Sequence, residues 1–365
     1  MTLNAQNAEM ASLRLYEAET SIEVIARQHG LNPVDVIDFS LNVNPLGSPP
    51  AAVVAAQEAV QSANLYPDLR FGRLRAALAE RHGVEEDSLF FGAGLDDVIK
   101  LLLQAWTSSG DKVLVHIPTF PRYELEARLR GCRVIAVASD RPEVIGIANL
   151  ERELAQGDVA LSFICTPNNP TGATVDNADI ARLAQAYPFT LFVIDEALIY
   201  PLEEGAIPLC ADHPNLCVLR TFSKYFGLAG LRIGYAIASS ELVRIAEVGR
   251  PPFNMSEAAV QAAVAALADR QFLPDCKATF QKETRYFRER LAAVSDIGVK
   301  GTNANMLLLD LAGRDASKTA ETLAAMGIVV ADATSFHGLE HHPFLRVSLR
   351  SREDNLKLIA ALERV

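Results

Sequence analysis

The chain has 365 residues, half of them apolar, which is enough for a large core spread over about two domains at roughly 150 residues each. Its formal net charge of −11 argues against nucleic acid or an anionic membrane as the partner, although a local group of arginines could still receive an anionic substrate. The five cysteines, Cys132, Cys165, Cys210, Cys217 and Cys276, are scattered, odd in number and free of any CxxC pair, so neither a disulfide frame nor a metal site is expected.

Residues 1–19 carry no charged-then-apolar leader pattern, and no apolar run reaches the roughly 18 residues of a membrane span, so a soluble, cytoplasmic protein is expected. From about Phe71 the chain alternates between two periods. "RLRAALAERHG" is helical, "DSLFFGAG" is a strand entering a glycine turn, and "LDDVIKLLLQAW" is again helical. "KVLVHIP", "RVIAVA", "VALSFI", "TLFVIDEA" and "CVLRTF" are short apolar runs bounded by turn residues, with helical stretches such as "PRYELEARLRG" and "DIARLAQAY" between several of them. Buried strands alternating with helices predict an α/β fold, a mostly parallel central sheet with helices on both faces, whose ligands lie beyond the carboxyl ends of its strands. After about Ser256 two long helical stretches precede "NMLLLDL", "IVVADA", "FLRVSLRS" and a last helix, which predicts a smaller α+β domain. The expected division is an N-terminal arm with part of the small domain over 1–44, a large domain over 45–255 and a small domain over 256–365.

Four short segments carry candidate chemistry. "GAGLDD", Gly92 to Asp97, lies where a strand feeds a helix; its glycines let backbone approach an anion, and free amides at a helix start favour negative charge. The same glycines could serve turn geometry alone, and the segment matches neither GxGxxG nor Walker A. "TPNNPTG", Thr166 to Gly172, displays two asparagines at a strand end, or is a plain turn. "FVIDEA" sets Asp195 and Glu196 at the end of an apolar strand, where a carboxylate is costly unless it is paired or caps the next segment. "TFSKYFGLAGLRIGY" places Lys224 and Arg232 eight residues apart in a small, glycine-rich, apolar stretch; a buried lysine has a depressed pKa and becomes a nucleophilic amine, whereas an isolated one usually sends its head to the surface.

In order and spacing these segments resemble the fold-type I pyridoxal-phosphate (PLP) enzymes of aminotransferase class I/II, from Asn42 to the terminal helix. The resemblance implies that Lys224 carries the cofactor. It implies that Ser223 and Arg232 hold the cofactor phosphate together with the backbone at Gly94, Leu95 and Asp96, and that Asp195 partners the pyridinium nitrogen. Asn169 would bond the phenolic oxygen and Phe120 would stack on the ring. Tyr66, in "LYPD", would reach the phosphate of a neighbouring subunit, which implies a homodimer with shared sites. Arg346, in "FLRVSLRS", would grip a substrate carboxylate, with Asn44 and Tyr16 as further substrate contacts.

Two branches of the superfamily fit. "RTFSKYFGLAGLRIGY", "SSGDKVLVHIPTF", "RPPFNMS" and the arm "YEAETSIEV" are closer to histidinol-phosphate aminotransferases, which use 2-oxoglutarate and glutamate as the amino partner. Val43, Leu198 and the pair Leu349–Arg350 depart from that pattern toward the threonine-phosphate decarboxylases of cobalamin synthesis, whose N-terminal HGG is nonetheless absent. The aminotransferase is the favoured expectation and the decarboxylase the alternative. A cofactor-sensing DNA-binding regulator is disfavoured, because the roughly forty residues before "NPLG" are acidic and fit no helix-turn-helix.

Overall fold

The computed structural model describes residues 21–293, 297–300 and 303–365. In chain order the helices are α1 (Ile22–His29), α2 (Pro50–Val60), α3 (Gly72–His82), α4 (Leu95–Trp106), α5 (Arg122–Leu129), α6 (Ile147–Leu154), α7 (Asn177–Ala186), α8 (Ser240–Gly249), α9 (Glu257–Ala268), α10 (Phe272–Leu291), α11 (Ala316–Ala325) and α12 (Arg352–Leu362). The strands are β1 (Ile37–Asp38), β2 (Leu89–Gly92), β3 (Lys112–Ile117), β4 (Arg133–Ala138), β5 (Val159–Cys165), β6 (Leu191–Asp195), β7 (Leu216–Thr221), β8 (Gly234–Ala238), β9 (Gly298–Val299), β10 (Met306–Asp310), β11 (Ile328–Val329), β12 (Ala331–Asp332) and β13 (Phe344–Ser348).

Seven strands form the central sheet in the order β2-β8-β7-β6-β5-β3-β4. β4, β3, β5, β6 and β7 run parallel, while β8 is antiparallel to both β7 and β2. Both faces of this sheet are covered, and the side-chain alternation sorts each strand into two cores. In β6, Leu191 and Val193 enter one apolar cluster and Phe192 and Ile194 the other; β7 divides Cys217 and Leu219 from Leu216 and Val218 in the same way. The apolar runs read as continuous because each face needs its own half of the residues.

Register then aligns the functional end. Cys165 at the end of β5 pairs with Asp195 at the end of β6, and Asp195 pairs with Leu219, two residues short of the end of β7. Three loops therefore leave the sheet side by side, carrying "TPNNPTG", "EALIY" and "FSK". The loop after Asp195 is pinned from beneath. Arg220 and Glu196 are both buried and ion-paired at 2.7 Å; Arg220 also donates to the carbonyls of Glu203 and Glu204, and Glu196 accepts from the Ala206 amide. Gly205, at φ +59°, leaves room for that carboxylate, since a Cβ there would strike the Glu196 side chain.

Four of the remaining strands form an antiparallel sheet, β12-β13-β10-β9. "IVVADA" divides at Val330: β11 pairs in parallel with β1, and β12 pairs with β13. Phe39 accepts from the Ser348 amide and donates to Val329, so the segment that leads into "SLNVNPLG" is tied to the C-terminal part of the chain. Helix α9 packs along α2 and α3. Among the described residues no helix is long and apolar enough to cross a membrane.

Candidate active site

A cavity of about 430 Å³ opens at the carboxyl ends of β5, β6 and β7. Its walls include Leu95 and Asp96 from the start of α4, Phe120 and Tyr123 around the start of α5, Asn169, Asp195, Leu198, Ser223, Lys224, Arg232 and Arg346, with Leu41, Asn42 and Val43 from the N-terminal segment. Residues more than 300 positions apart in sequence thus share one chamber, in the place expected for an α/β sheet.

One end of the chamber is built for an anion. Gly94, at φ +86°, lets the backbone turn into α4. A Cβ on Gly94 would collide with the Arg232 guanidinium, and one on Gly234 would lie 2.6 Å from the Gly94 carbonyl carbon, so the two glycines allow Arg232 and the start of α4 to converge. Thr221 orders Ser223, accepting from its amide at 3.0 Å and donating to its hydroxyl at 3.0 Å. Arg232 Nη1 lies 3.5 Å from Ser223 Oγ, and its Nη2 lies 3.8 Å from Asp96 Oδ2. The Gly94 amide donates to the Gly92 carbonyl at 2.8 Å, so the expected backbone contact falls to Leu95 and Asp96 alone. A guanidinium, a hydroxyl and those two helix-start amides make a donor set suited to phosphate.

At the sheet end sits Asp195, buried, with Oδ2 accepting from the Tyr123 hydroxyl at 2.6 Å and Oδ1 from the Ala197 amide at 2.8 Å. Burial raises its pKa; those two hydrogen bonds lower it, the Asp96 charge raises it, and the Lys224 charge lowers it. Tyr123 is held by stacking on Phe163 at 4.6 Å, and Phe120 meets its edge at 5.6 Å. Lys224 is half-buried in the turn after β7.

Arg346, also on the chamber wall, is buried. Its Nη1 donates to Asn169 Oδ1 at 2.7 Å, its Nη2 to the Ser40 carbonyl, and its guanidinium lies 5.7 Å from the Phe336 ring. The expected phenolic-oxygen residue and the expected carboxylate residue are therefore bonded to each other.

Other expected residues stand apart. Asn44 is outside the cavity wall: its amide donates to the Tyr225 carbonyl at 2.7 Å and to Cys276 Sγ at 3.1 Å, and its Oδ1 accepts from Leu46, so it fixes the turn at 44–47. Its neighbours Asn42 and Val43 take the wall positions. Tyr66 is 82% exposed and stacks on Phe253 at 4.6 Å, outside the chamber. Tyr16 lies outside the described residues. Of the residues that depart from the aminotransferase pattern, Val43 and Leu198 line the chamber, whereas Arg350 binds Asp354 and the Asp38 carbonyl away from it. Sequence reasoning does not reach Tyr123 and Thr221 as supports; an aromatic hydroxyl three residues after Phe120 and a threonine at the end of β7 are the available signals.

Asp195 makes a pH-dependent prediction. Its folded-state pKa is raised, so its favourable contribution is complete below the unfolded carboxyl value and is lost as pH rises through the folded value. Asp195→Asn should therefore stabilise the apoprotein at pH 8 by roughly 1–2 kcal/mol and much less at pH 4, read as the difference in melting temperature from wild type. A variant less stable than wild type at pH 8 would contradict this.

The aminotransferase class I and II family model matches residues 34–362. A histidinol-phosphate aminotransferase of Methanothermobacter thermautotrophicus is 33% identical over 352 residues, covering 95% of this chain and 93% of the relative. The crystal structure of histidinol-phosphate aminotransferase from Sinorhizobium meliloti in complex with pyridoxal-5'-phosphate aligns with a TM-score of 0.88 at 24% identity, over 100% of this chain and 98% of that one. An L-threonine-O-3-phosphate decarboxylase of Porphyromonas gingivalis aligns with a TM-score of 0.78 at 24% identity, over 90% and 99%. These two structures share the fold, and the match over 34–362 together with the identity across nearly the whole length decides the membership: the chain belongs to the aminotransferase class I and II family.

Proposed function

We propose that the chain is a PLP-dependent aminotransferase that exchanges the amino group of a phosphorylated amine such as histidinol phosphate with 2-oxoglutarate. The observation that carries this reading is the convergence of Lys224, Asp195, the Ser223–Arg232–α4 anion cradle and Arg346 on one chamber. The full-length similarity to histidinol-phosphate aminotransferases supports the choice of substrate.

The chamber fits the cofactor at both ends. Ser223, Arg232 and the amides of Leu95 and Asp96 would hold its phosphate. Asp195 would face its ring nitrogen, where a proton lets the carboxylate exchange a costly buried charge for an ion pair. Phe120 would cover one ring face and Asn169 would reach the phenolic oxygen. When bound, PLP supplies an electron sink for negative charge developing at the substrate α-carbon.

The protein's own groups do the rest. Lys224 Nζ would be the cofactor's attachment point and, as a free amine, would accept a proton from the substrate α-carbon. Arg346 binds the substrate anion with a planar guanidinium, the phosphate of one substrate and the carboxylate of the other. Together with Leu41, Asn42 and Val43 of the N-terminal segment, Arg346 would set which α-carbon bond of a carboxylated substrate is activated, and so separate loss of a proton from loss of carbon dioxide. Leu198 and Val43 add an apolar wall that excludes water.

Incubation of the PLP-loaded protein with histidinol phosphate and with threonine phosphate, each with and without 2-oxoglutarate, tests the reading. Glutamate and a keto product from histidinol phosphate are expected. Carbon dioxide from threonine phosphate without an acceptor would contradict transfer and favour the decarboxylase.

Tyr66 supports a homodimer with shared sites. An exposed aromatic stacked on Phe253, beside exposed Leu65 and Leu69, is an apolar surface suited to a second copy. Mixing Tyr66→Phe subunits with Lys224→Ala subunits should give hybrid dimers with one site carrying both defects and one carrying neither. Activity above both parents is expected, and hybrids no better than the parents would count against sharing.

A further inference from the structure

Asp96 poses a problem for any anion bound at the start of α4. Its carboxylate sits in the first turn of that helix, on the chamber wall, 3.8 Å from Arg232 Nη2. In that position it can claim the guanidinium that the phosphate needs, and it repels a dianion placed beside it. Its charge also raises the pKa of Asp195.

The answer lies on the neighbouring helix. Arg122 opens α5, immediately after the "PTFP" segment that delivers Phe120. Its Nε donates to Asp96 Oδ1 at 3.1 Å, closer than Arg232 approaches the other oxygen. Behind it, the buried Glu126 pairs with Arg122 Nη2 across one turn and fixes the guanidinium in this direction. The three groups form a chain, Glu126–Arg122–Asp96, that ends at the phosphate cradle.

We propose that Arg122 is a positioning residue for the cofactor phosphate: by holding Asp96 it frees Arg232 for the phosphate and lessens the repulsion at the start of α4. This rests on the reading of the chamber as a PLP site. Arg122 itself does not line the chamber, so its effect on the cofactor passes through Asp96.

A double-mutant cycle with PLP as the probe decides the matter, with the dissociation constant measured by equilibrium dialysis on wild type, R122Q, D96N and R122Q/D96N. R122Q should raise the constant about two- to fivefold, the scale of one partly exposed charge pair. In the D96N background the same change should have little effect, because the carboxylate that Arg122 restrains is gone. The R122Q penalty should also shrink at high salt. Melting of the apoproteins reports the separate structural role: loss of the Glu126 partner lowers the melting temperature of R122Q in both backgrounds. An unchanged constant in R122Q, or an equal rise with and without D96N, overturns the proposal while the PLP reading stands. Wild-type protein that takes up no PLP overturns that reading, and the proposal with it.

Discussion

The active site turns on one buried carboxylate whose hydrogen bonds come from neutral donors. Asp195 stands at the end of β6 between two other strands, and a phenol and a backbone amide bond it. Such a group is costly in a folded chain, and burial shows in its raised pKa. Under the proposed PLP reading, a cationic ring nitrogen would offset that cost. The sheet register, the stacked Tyr123–Phe163 pair and the loop that supplies the Ala197 amide all serve to hold that oxygen pair in place.

The next residue shows the contrast. Glu196 is as buried as Asp195, yet its charge is matched within the protein by Arg220, and the same arginine ties down the carbonyls at 203 and 204. Burial still raises the Glu196 pKa, with Arg220 opposing it. A matched buried pair gives conformational definition, here to the loop bearing Leu198; the neighbouring Asp195, bonded by neutral donors, is the group the proposed mechanism uses.

Much of this architecture is legible in the sequence. The parallel strands emerge from local apolar runs, whereas Lys224, Asp195, Arg232 and Arg346 are singled out by the resemblance of their segments to a known family, each lying in or beside a strand. Features set by distant contacts are not legible. Asn42 and Asn44 lie two apart and would share a face in an extended segment, but the turn at 44–47 redirects Asn44 to Tyr225 and Cys276. "IVVADA" reads as one strand and serves two sheets, since its partners come from residues 37–38 and 344–348. Arg122 looks like an ordinary surface cation of an amphipathic helix; only the packing of α5 against α4 brings it to Asp96.

The proposed chemistry of the chamber depends above all on Lys224 serving as the cofactor's attachment point. The direct measurement is borohydride reduction of the PLP-treated protein, tryptic digestion and mass mapping. A PLP-derived label on Lys224 blocks cleavage there and leaves the peptide Thr221–Arg232 intact. That peptide, labelled, is the predicted result; a label confined to any other lysine would contradict the assignment.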